Sequence, residues 1–243
     1  MIVIYMAAES SFIKTLNSDC ELKEVGGKAF CLMKLKREGF NVADGLAITT
    51  PAHEQWLEHK EVPSSLHKEL ESFTFSFPLI VRSSATAEDS KKASFPGRFT
   101  SYPNANSVED ILKNLERIYC DMNAKTVLSY CKLMEIDHEK IRMGVLVQKQ
   151  LRALYSGVAF TRNPLSGKDE ITVDYTPGVP WELCERGANA TSIVLSDSGL
   201  FAGLHPIVKR IEAIFGEPQD IEWALDGRGS YWILQSRPIT TLP

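Results

Sequence analysis

The sequence predicts an α+β fold of two lobes around a cleft, a helix-rich lobe over residues 1–140 and a sheet-rich lobe over 141–243. Three observations predict it. Capped runs of helical period crowd the first 134 residues. Short runs rich in β-branched and aromatic residues dominate the rest. No internal repeat, low-complexity segment or long linker interrupts the chain, and 243 residues suffice for a substantial core.

After a poorly defined start, Gly26-Gly27 precedes a helix expected over residues 28–38, which Gly39 ends. Residues 45–49 form a short buried strand. Thr50-Pro51 starts the next helix, through about residue 60, because proline at the first helical position has no amide to leave unsatisfied. Residues 63–77 form a weaker helix and connector. An apolar strand over 79–82 stops at Ser83-Ser84-Ala85-Thr86, and a loop of small and charged residues covers 87–102. Ser107 caps a helix, with Asp110 set for a box-like contact and Ile111, Leu112, Leu115 and Ile118 on one face. A further helix covers 123–134, and strands follow over 142–148, 155–161, 170–175 and 191–195. Pro206 opens a helix with Ile207, Ile211 and Ile214 inward, which Gly216 ends.

A hairpin over 219–238 closes the chain, with Asp226-Gly227-Arg228-Gly229 as its turn. Alternation sets Asp220, Glu222, Gln235 and Arg237 on one face, and Ile221, Trp223, Leu225, Trp232 and Leu234 on the other. With the loop at 226–229, Glu222 sits opposite Ile233 and Asp220 opposite Gln235. Two carboxylates, an amide oxygen and a guanidinium suit a hard cation and the anion it carries. Mg²⁺ takes oxygen ligands and keeps waters and phosphate oxygens in its shell. Taken alone, the hairpin equally suits a solvated sheet face with a surface ion pair.

Composition narrows the class. Hydrophobic content of 44% and charged content of 24% are those of a soluble globular protein, and a net charge of −4 gives no electrostatic reason to expect nucleic acid, which would need a clustered basic surface. Five cysteines without CxxC spacing argue against a disulfide framework or structural zinc and favour the reducing cytoplasm. The apolar start is too short to span a membrane and lacks the basic start of a signal peptide.

Further candidates are scattered along the chain. In VGGKAF, at 25–30, two glycines let the backbone approach a ligand, and Lys28 sits at a helix start; a solvated lysine fits the same letters. In PLIVRSSATAEDSKKASFPGRF, Arg82 at the end of an apolar strand needs a partner. Phosphate would satisfy it bidentately, with Ser83, Ser84 and Thr86 adding donors and the Ser94–Gly97 stretch closing as a lid. A structural pair between Arg82 and Glu88 competes with that reading. In VLVQKQL, the strand end at Gln148 could pair with adenine while Leu151 packs on the ring. Trp181 and Glu182 could supply a ribose or phosphate contact. The five histidines show no metal-ligand spacing, and GxSxG is absent.

Taken together, VGGKAF, LAITTPAHEQWL, IVRSSATAEDSKKASFPGRF, VLVQKQL, YSGVAFTRNPLSG and QDIEWALDGRGSYWILQSRPIT resemble one family, over nearly all of residues 25–240. It is the nucleotide-binding, ATP-grasp domain of phosphoenolpyruvate synthase and pyruvate phosphate dikinase, also found in rifampicin phosphotransferases. The resemblance implies a single domain over 1–243, with mixed or antiparallel sheets enclosing an ATP cleft. It implies Lys28 and Arg82 on the ATP phosphates, and Thr86 with the Ser94–Gly97 region as the phosphate-covering loop. It further implies Gln148 to Leu151 in the adenine pocket, Glu222 and Gln235 on Mg²⁺ with Asp220 nearby, and Arg237 neutralising the transferring phosphoryl group. The implied activity cleaves ATP to AMP and phosphate and phosphorylates a histidine. None of the five histidines lies in a small-residue-flanked motif, so the acceptor is expected on a separate domain or protein. Two departures stand out: Arg98 replaces a common glutamine, and PGVPWELCERG departs from a GLGE-type string, which leaves the role of Glu182 open. A kinase acting directly on a small molecule, with ADP as product, and a nucleotide-binding regulatory module without turnover are the alternatives.

Overall fold

The computed structural model describes residues 12–88, 95, 99–178 and 190–240. The strands form two five-stranded antiparallel sheets, and helices accompany them, the α+β class predicted. By its contacts the chain divides into one unit of residues 1–33 and 44–150 and a second of residues 34–43 and 151–243.

In the first unit the sheet runs β1 (Ile13–Thr15), β2 (Gly45–Ile48), β5 (Met143–Lys149), β3 (Leu79–Ala85), β4 (Ser101–Ala105). Residues 141–150 count with this unit because β5 is its central strand. Alternation splits the sheet into two faces. Leu46, Ile48, Leu79, Val81, Ala85, Met143, Val145 and Val147 join the hydrophobic core with residues of α3 (Thr50–His59), α4 (Ser64–Glu71), α5 (Val108–Asp121) and α6 (Lys125–Leu133). Each buried Leu, Ile or Val contributes about 1.5–3 kcal/mol there. The opposite face carries Ile80, Arg82, Ser84, Gly144, Leu146 and Gln148. It is covered near Ser84 and Gly144 by the junction of α1 (Leu22–Val25) with α2 (Gly27–Arg37).

The expected α5 is present as read: Ser107 Oγ accepts from the Asp110 amide at 3.1 Å, and Ile111, Leu115 and Ile118 are buried. Two expectations fail. Strand β3 does not stop at Arg82 but runs on through Ser83, Ser84 and Ala85, which pair with Val145, Gly144 and Met143. The expected loop over 87–102 gives way at Ser101 to β4, which pairs on its inner side with β3. An edge strand tolerates its Pro103, because no further strand needs that amide.

In the second unit the order is β10 (Tyr231–Pro238), β9 (Gln219–Asp226), β6 (Ala153–Phe160), β7 (Thr172–Pro177), β8 (Thr191–Val194). Phe201 packs edge-on against Trp223 at 4.9 Å and against Tyr175 at 4.8 Å. Helix α7 (Leu204–Phe215) starts two residues before Pro206, with Gly203 at its N-cap. It buries Leu204, Val208 and Ile211, whereas Ile207 and Ile214, expected inward, are only half-buried. Residues 34–43 belong here for specific reasons. The Lys34 ammonium lies over the Phe215 ring, the Arg210 guanidinium over Phe40, and the Asn41 carbonyl accepts from the Ile233 amide on the outer edge of β10. That contact covers a sheet edge that would otherwise offer itself to another chain.

Among the described residues no helix is long and apolar enough to cross a membrane, and the four described cysteines form no disulfide.

Candidate functional site

The first unit builds its polar cluster on two close backbone approaches. Gly26 has φ +79°, and a Cβ there would lie 1.7 Å from the Ser84 carbonyl oxygen; one on Gly144 would lie 2.2 Å from that of Val25. Glycine at both positions lets the α1–α2 junction lie directly on β3 and β5. The Ala29 amide then donates to Ser84 Oγ at 2.9 Å, which explains a hydroxyl inside a buried strand.

Lys28 follows from this placement. It is 5% exposed, not the solvated lysine that a bare GGK permits. Its Nζ donates to the Ser83 carbonyl at 3.0 Å and to Glu88 Oε1 at 3.1 Å. Glu88 Oε2 accepts from the Ala85 amide at 3.2 Å. Glu88, weighed from the sequence only as a structural partner for Arg82, is thus the partner of Lys28. The sequence holds little signal for it, since the two lie sixty residues apart.

Arg82 and Gln148 are 8% and 4% exposed on the sheet face opposite the core. Arg82 pairs with Leu146 and Gln148 with Ile80, which makes the two diagonal neighbours within reach of one ligand. Thr86 ends the ladder: its amide donates to the Arg142 carbonyl at 2.9 Å and its hydroxyl accepts from the Arg142 amide at 3.0 Å. Leu151, half-buried just after β5, counts with the second unit. Ser94, Gly97 and Glu182, together with Trp181, lie outside the described residues.

The second unit carries the hairpin. Its register differs from the expected one, since the loop is 227–230 and a bulge falls between Ile233 and Gln235, with Leu234 as the extra residue. Glu222 therefore sits opposite Gln235, and Asp220 opposite Arg237. The four polar side chains share one face, as alternation predicts. The apolar face is corrected: Ile233, buried and paired with Trp223, takes the place assigned to Trp232 and Leu234. Trp232 instead pairs with Ala224 and donates from Nε1 to Asp226 Oδ2 at 2.9 Å.

Arg237 donates from Nε at 2.9 Å and from Nη2 at 2.8 Å, both to Asp220 Oδ2. The side chains are 23% and 12% exposed, so this is no solvated surface pair. Asp220 Oδ1 is buried with no hydrogen-bond partner. Burial pushes the Asp220 carboxyl above its usual range, against the opposing pull of Arg237, and the nearby Glu222 adds to the rise. A carboxylate with one unsatisfied buried oxygen, a second carboxylate and an amide oxygen fit a hard divalent cation. Among the described residues no three His, Cys, Asp or Glu gather into one cluster.

The model of the family described as pyruvate phosphate dikinase, AMP/ATP-binding domain, matches residues 69–186 and 186–243. The chain belongs to this family. The family match takes in Arg82, Gln148 and the whole hairpin, while Lys28 precedes it. A rifampicin phosphotransferase of Streptomyces sp is 30% identical over 302 residues, covering 91% of this chain and 35% of that protein. The phosphoenolpyruvate synthase of Pyrococcus furiosus is 29% identical, covering 67% of this chain and 26% of its own length. The chain thus spans about a third or less of these relatives. The first alignment is longer than the chain itself, so that family member carries internal segments this chain lacks. Among solved structures, the L-amino acid ligase of Bacillus licheniformis matches with a TM-score of 0.47 at 12% identity, covering 89% of this chain and 43% of that one. The D-alanine–D-alanine ligase of Bacillus anthracis complexed with ATP matches with 0.42 at 14%, covering 89% and 55%.

Proposed function

We propose that this chain is the ATP-grasp, nucleotide-binding part of a dikinase-type phosphotransferase. It cleaves Mg-ATP to AMP and phosphate and passes a phosphoryl group to a histidine on a separate domain or protein. The observation that carries the proposal is the hairpin's polar face, where Glu222 faces Gln235 and Asp220 keeps an unsatisfied buried oxygen beside Arg237. Family membership supports it.

In this reading Lys28 and Arg82 hold ATP phosphates, and Thr86 with Ser94 and Gly97 belongs to the loop that covers them. Gln148 and Leu151 line the adenine site, Glu182 reaches ribose or phosphate, and Arg237 neutralises the transferring group. Glu222 and Gln235, with Asp220, would hold Mg²⁺, which when bound supplies charge neutralisation at the phosphate oxygens. Phosphoryl transfer asks the protein mainly for positioning and electrostatic stabilisation, and buried cations with fixed partners supply both. A reducing cytoplasm is part of this reading, on the five cysteines without CxxC spacing.

Product analysis tests the proposal. ATP is incubated with the chain, Mg²⁺ and candidate histidine-bearing partners, and the nucleotides are separated. AMP with phosphate is the expected result; ADP alone would mean a simple kinase, and bound but unconverted ATP a regulatory module.

A further inference from the structure

We propose that Glu88 is a positioning residue that aims the Lys28 ammonium at the phosphates of the nucleotide. This rests on the reading of Lys28 as a phosphate ligand. An ammonium has three N–H donors, and here two are committed, to the Ser83 carbonyl and to Glu88 Oε1. Both side chains are 6% exposed, so water does not supply their partners. The carboxylate is itself fixed: Oε2 accepts from the Ala85 amide, and the Glu88 amide closes a turn onto the Ala85 carbonyl. Glu88 is thereby locked to the end of β3, two residues beyond the carbonyl that takes the other ammonium proton. A lysine arm has rotamer freedom that ligand binding must remove, and a locked carboxylate removes it beforehand. The third N–H is then presented in one direction.

Glutamine cannot do the same work. It has one amide oxygen; if that oxygen accepts from Lys28, its NH₂ meets the Ala85 amide, donor against donor. Glu88→Gln therefore breaks one of two anchors at nearly constant volume. A competing role, in which Glu88 masks Lys28 and is displaced by phosphate, predicts the opposite sign.

The test measures binding of ATP and of adenosine to the wild-type chain, Glu88→Gln, Lys28→Met and the double variant, with reactivity of the Lys28 amine toward an acylating reagent read by mass spectrometry. Glu88→Gln is expected to weaken ATP by about tenfold or more while leaving adenosine nearly unchanged. The double variant is expected to bind no more weakly than Lys28→Met alone, and acylation of Lys28 in Glu88→Gln is expected to rise above the wild-type level. Glu88→Asp, which keeps the charge but shortens the arm, is held to the same comparison if Glu88→Gln fails to fold. Unchanged or tighter ATP binding, equal losses for ATP and adenosine, or unchanged Lys28 reactivity each overturns the positioning role. A wild-type chain that binds no ATP sinks the functional reading and this role together; wild-type binding that survives loss of Glu88 sinks this role alone.

Discussion

Arg82 keeps 8% of its surface exposed on the sheet face that does not meet the core, and its guanidinium brings a planar fork that no other cation reproduces. Arg82→Lys is accordingly expected to weaken ATP binding by about tenfold, because a point charge forfeits one of two parallel hydrogen bonds. Calorimetric titration reads this directly, and full affinity in the lysine variant would show that charge alone suffices. The hairpin ligands give a second expectation. Glu222→Ala and Gln235→Ala are each predicted to lower Mg²⁺-dependent turnover by at least about a hundredfold. Their side chains leave the Trp223–Ile233 face untouched, so the melting temperature is expected to move by only a few degrees, roughly. Near-normal rates at low Mg²⁺ would remove them from the metal site. His53 concerns stability rather than function. It is 1% exposed, its Nδ1 accepts from the Met143 amide at 3.3 Å, and its Nε2 has no partner. Burial first, then the charges of Arg142, Lys60 and His138, lowers its pKa to about 4. A group whose folded pKa lies below the unfolded 6.5 contributes stability that is fully present above 6.5 and is lost as pH falls towards 4. The loss amounts to roughly 3 kcal/mol. Urea midpoints at pH 7.5 and 4.5 are expected to differ accordingly in the wild type, and the difference to shrink in His53→Phe.

At the scale of elements, the α1–α2 junction and the closing hairpin decide where the polar groups go. Gly26→Ala would drive a Cβ into the Ser84 carbonyl at a positive φ, and is predicted to cost about 3 kcal/mol or more, visible as a shifted urea midpoint. Wild-type stability in that variant would mean that the junction can lift off β3. The same two elements show what could be read from the chain and what could not. Asp220, Glu222, Gln235 and Arg237 were legible as one polar face because strand alternation is a local rule. Their pairing was not, because the bulge at Leu234 adds a residue to one strand and leaves no mark in the letters. The end of β3 was misplaced for a different reason. Ser83-Ser84 looks like a turn, and only the Ala29 amide, 55 residues away, shows why Ser84 belongs in a buried strand. Lys28 was legible as a candidate, but its partner Glu88 was not, since long-range ion pairs have no sequence period. The bulge itself is open to test. Because Ile233 and Gln235 already face Trp223 and Glu222, deleting Leu234 is predicted to keep every polar side chain on its face. The expected cost is about 1 kcal/mol, or roughly 2–4 °C in melting temperature. A deletion that instead moves Ile233 opposite Glu222 and Gln235 opposite Ile221, detected by amide exchange or a structure of the variant, would show that Leu234 sets the register.

For the whole molecule, the proposed reaction turns on the acceptor. The chain spans about a third of the rifampicin phosphotransferase it matches, so its own residues account for the nucleotide end of the proposed reaction. Four of its five histidines are poorly placed as acceptors. His53 is enclosed by Trp56 and Tyr119 with its proton affinity depressed, and His138 Nε2 lies 2.9 Å from the Met122 carbonyl. His59 and His67 sit on helices α3 and α4 beside Glu58 and Glu71, whose negative charge repels an incoming phosphoryl group. A phosphoryl group released without an acceptor goes to water, and an active site that no acceptor closes lacks the exclusion and positioning that speed transfer. The chain alone is therefore predicted to turn ATP over at least about a hundredfold below the roughly 1–100 s⁻¹ usual for kinases. No acid-labile phosphate is expected on any of its five histidines. Radiolabelled ATP, rapid quenching and phosphopeptide mapping measure both quantities in one experiment. Adding a histidine-bearing partner is expected to raise AMP formation and to place the label on that partner. Fast formation of AMP by the chain alone, with label on one of its own histidines, would locate the acceptor within these 243 residues and overturn transfer to a separate domain or protein.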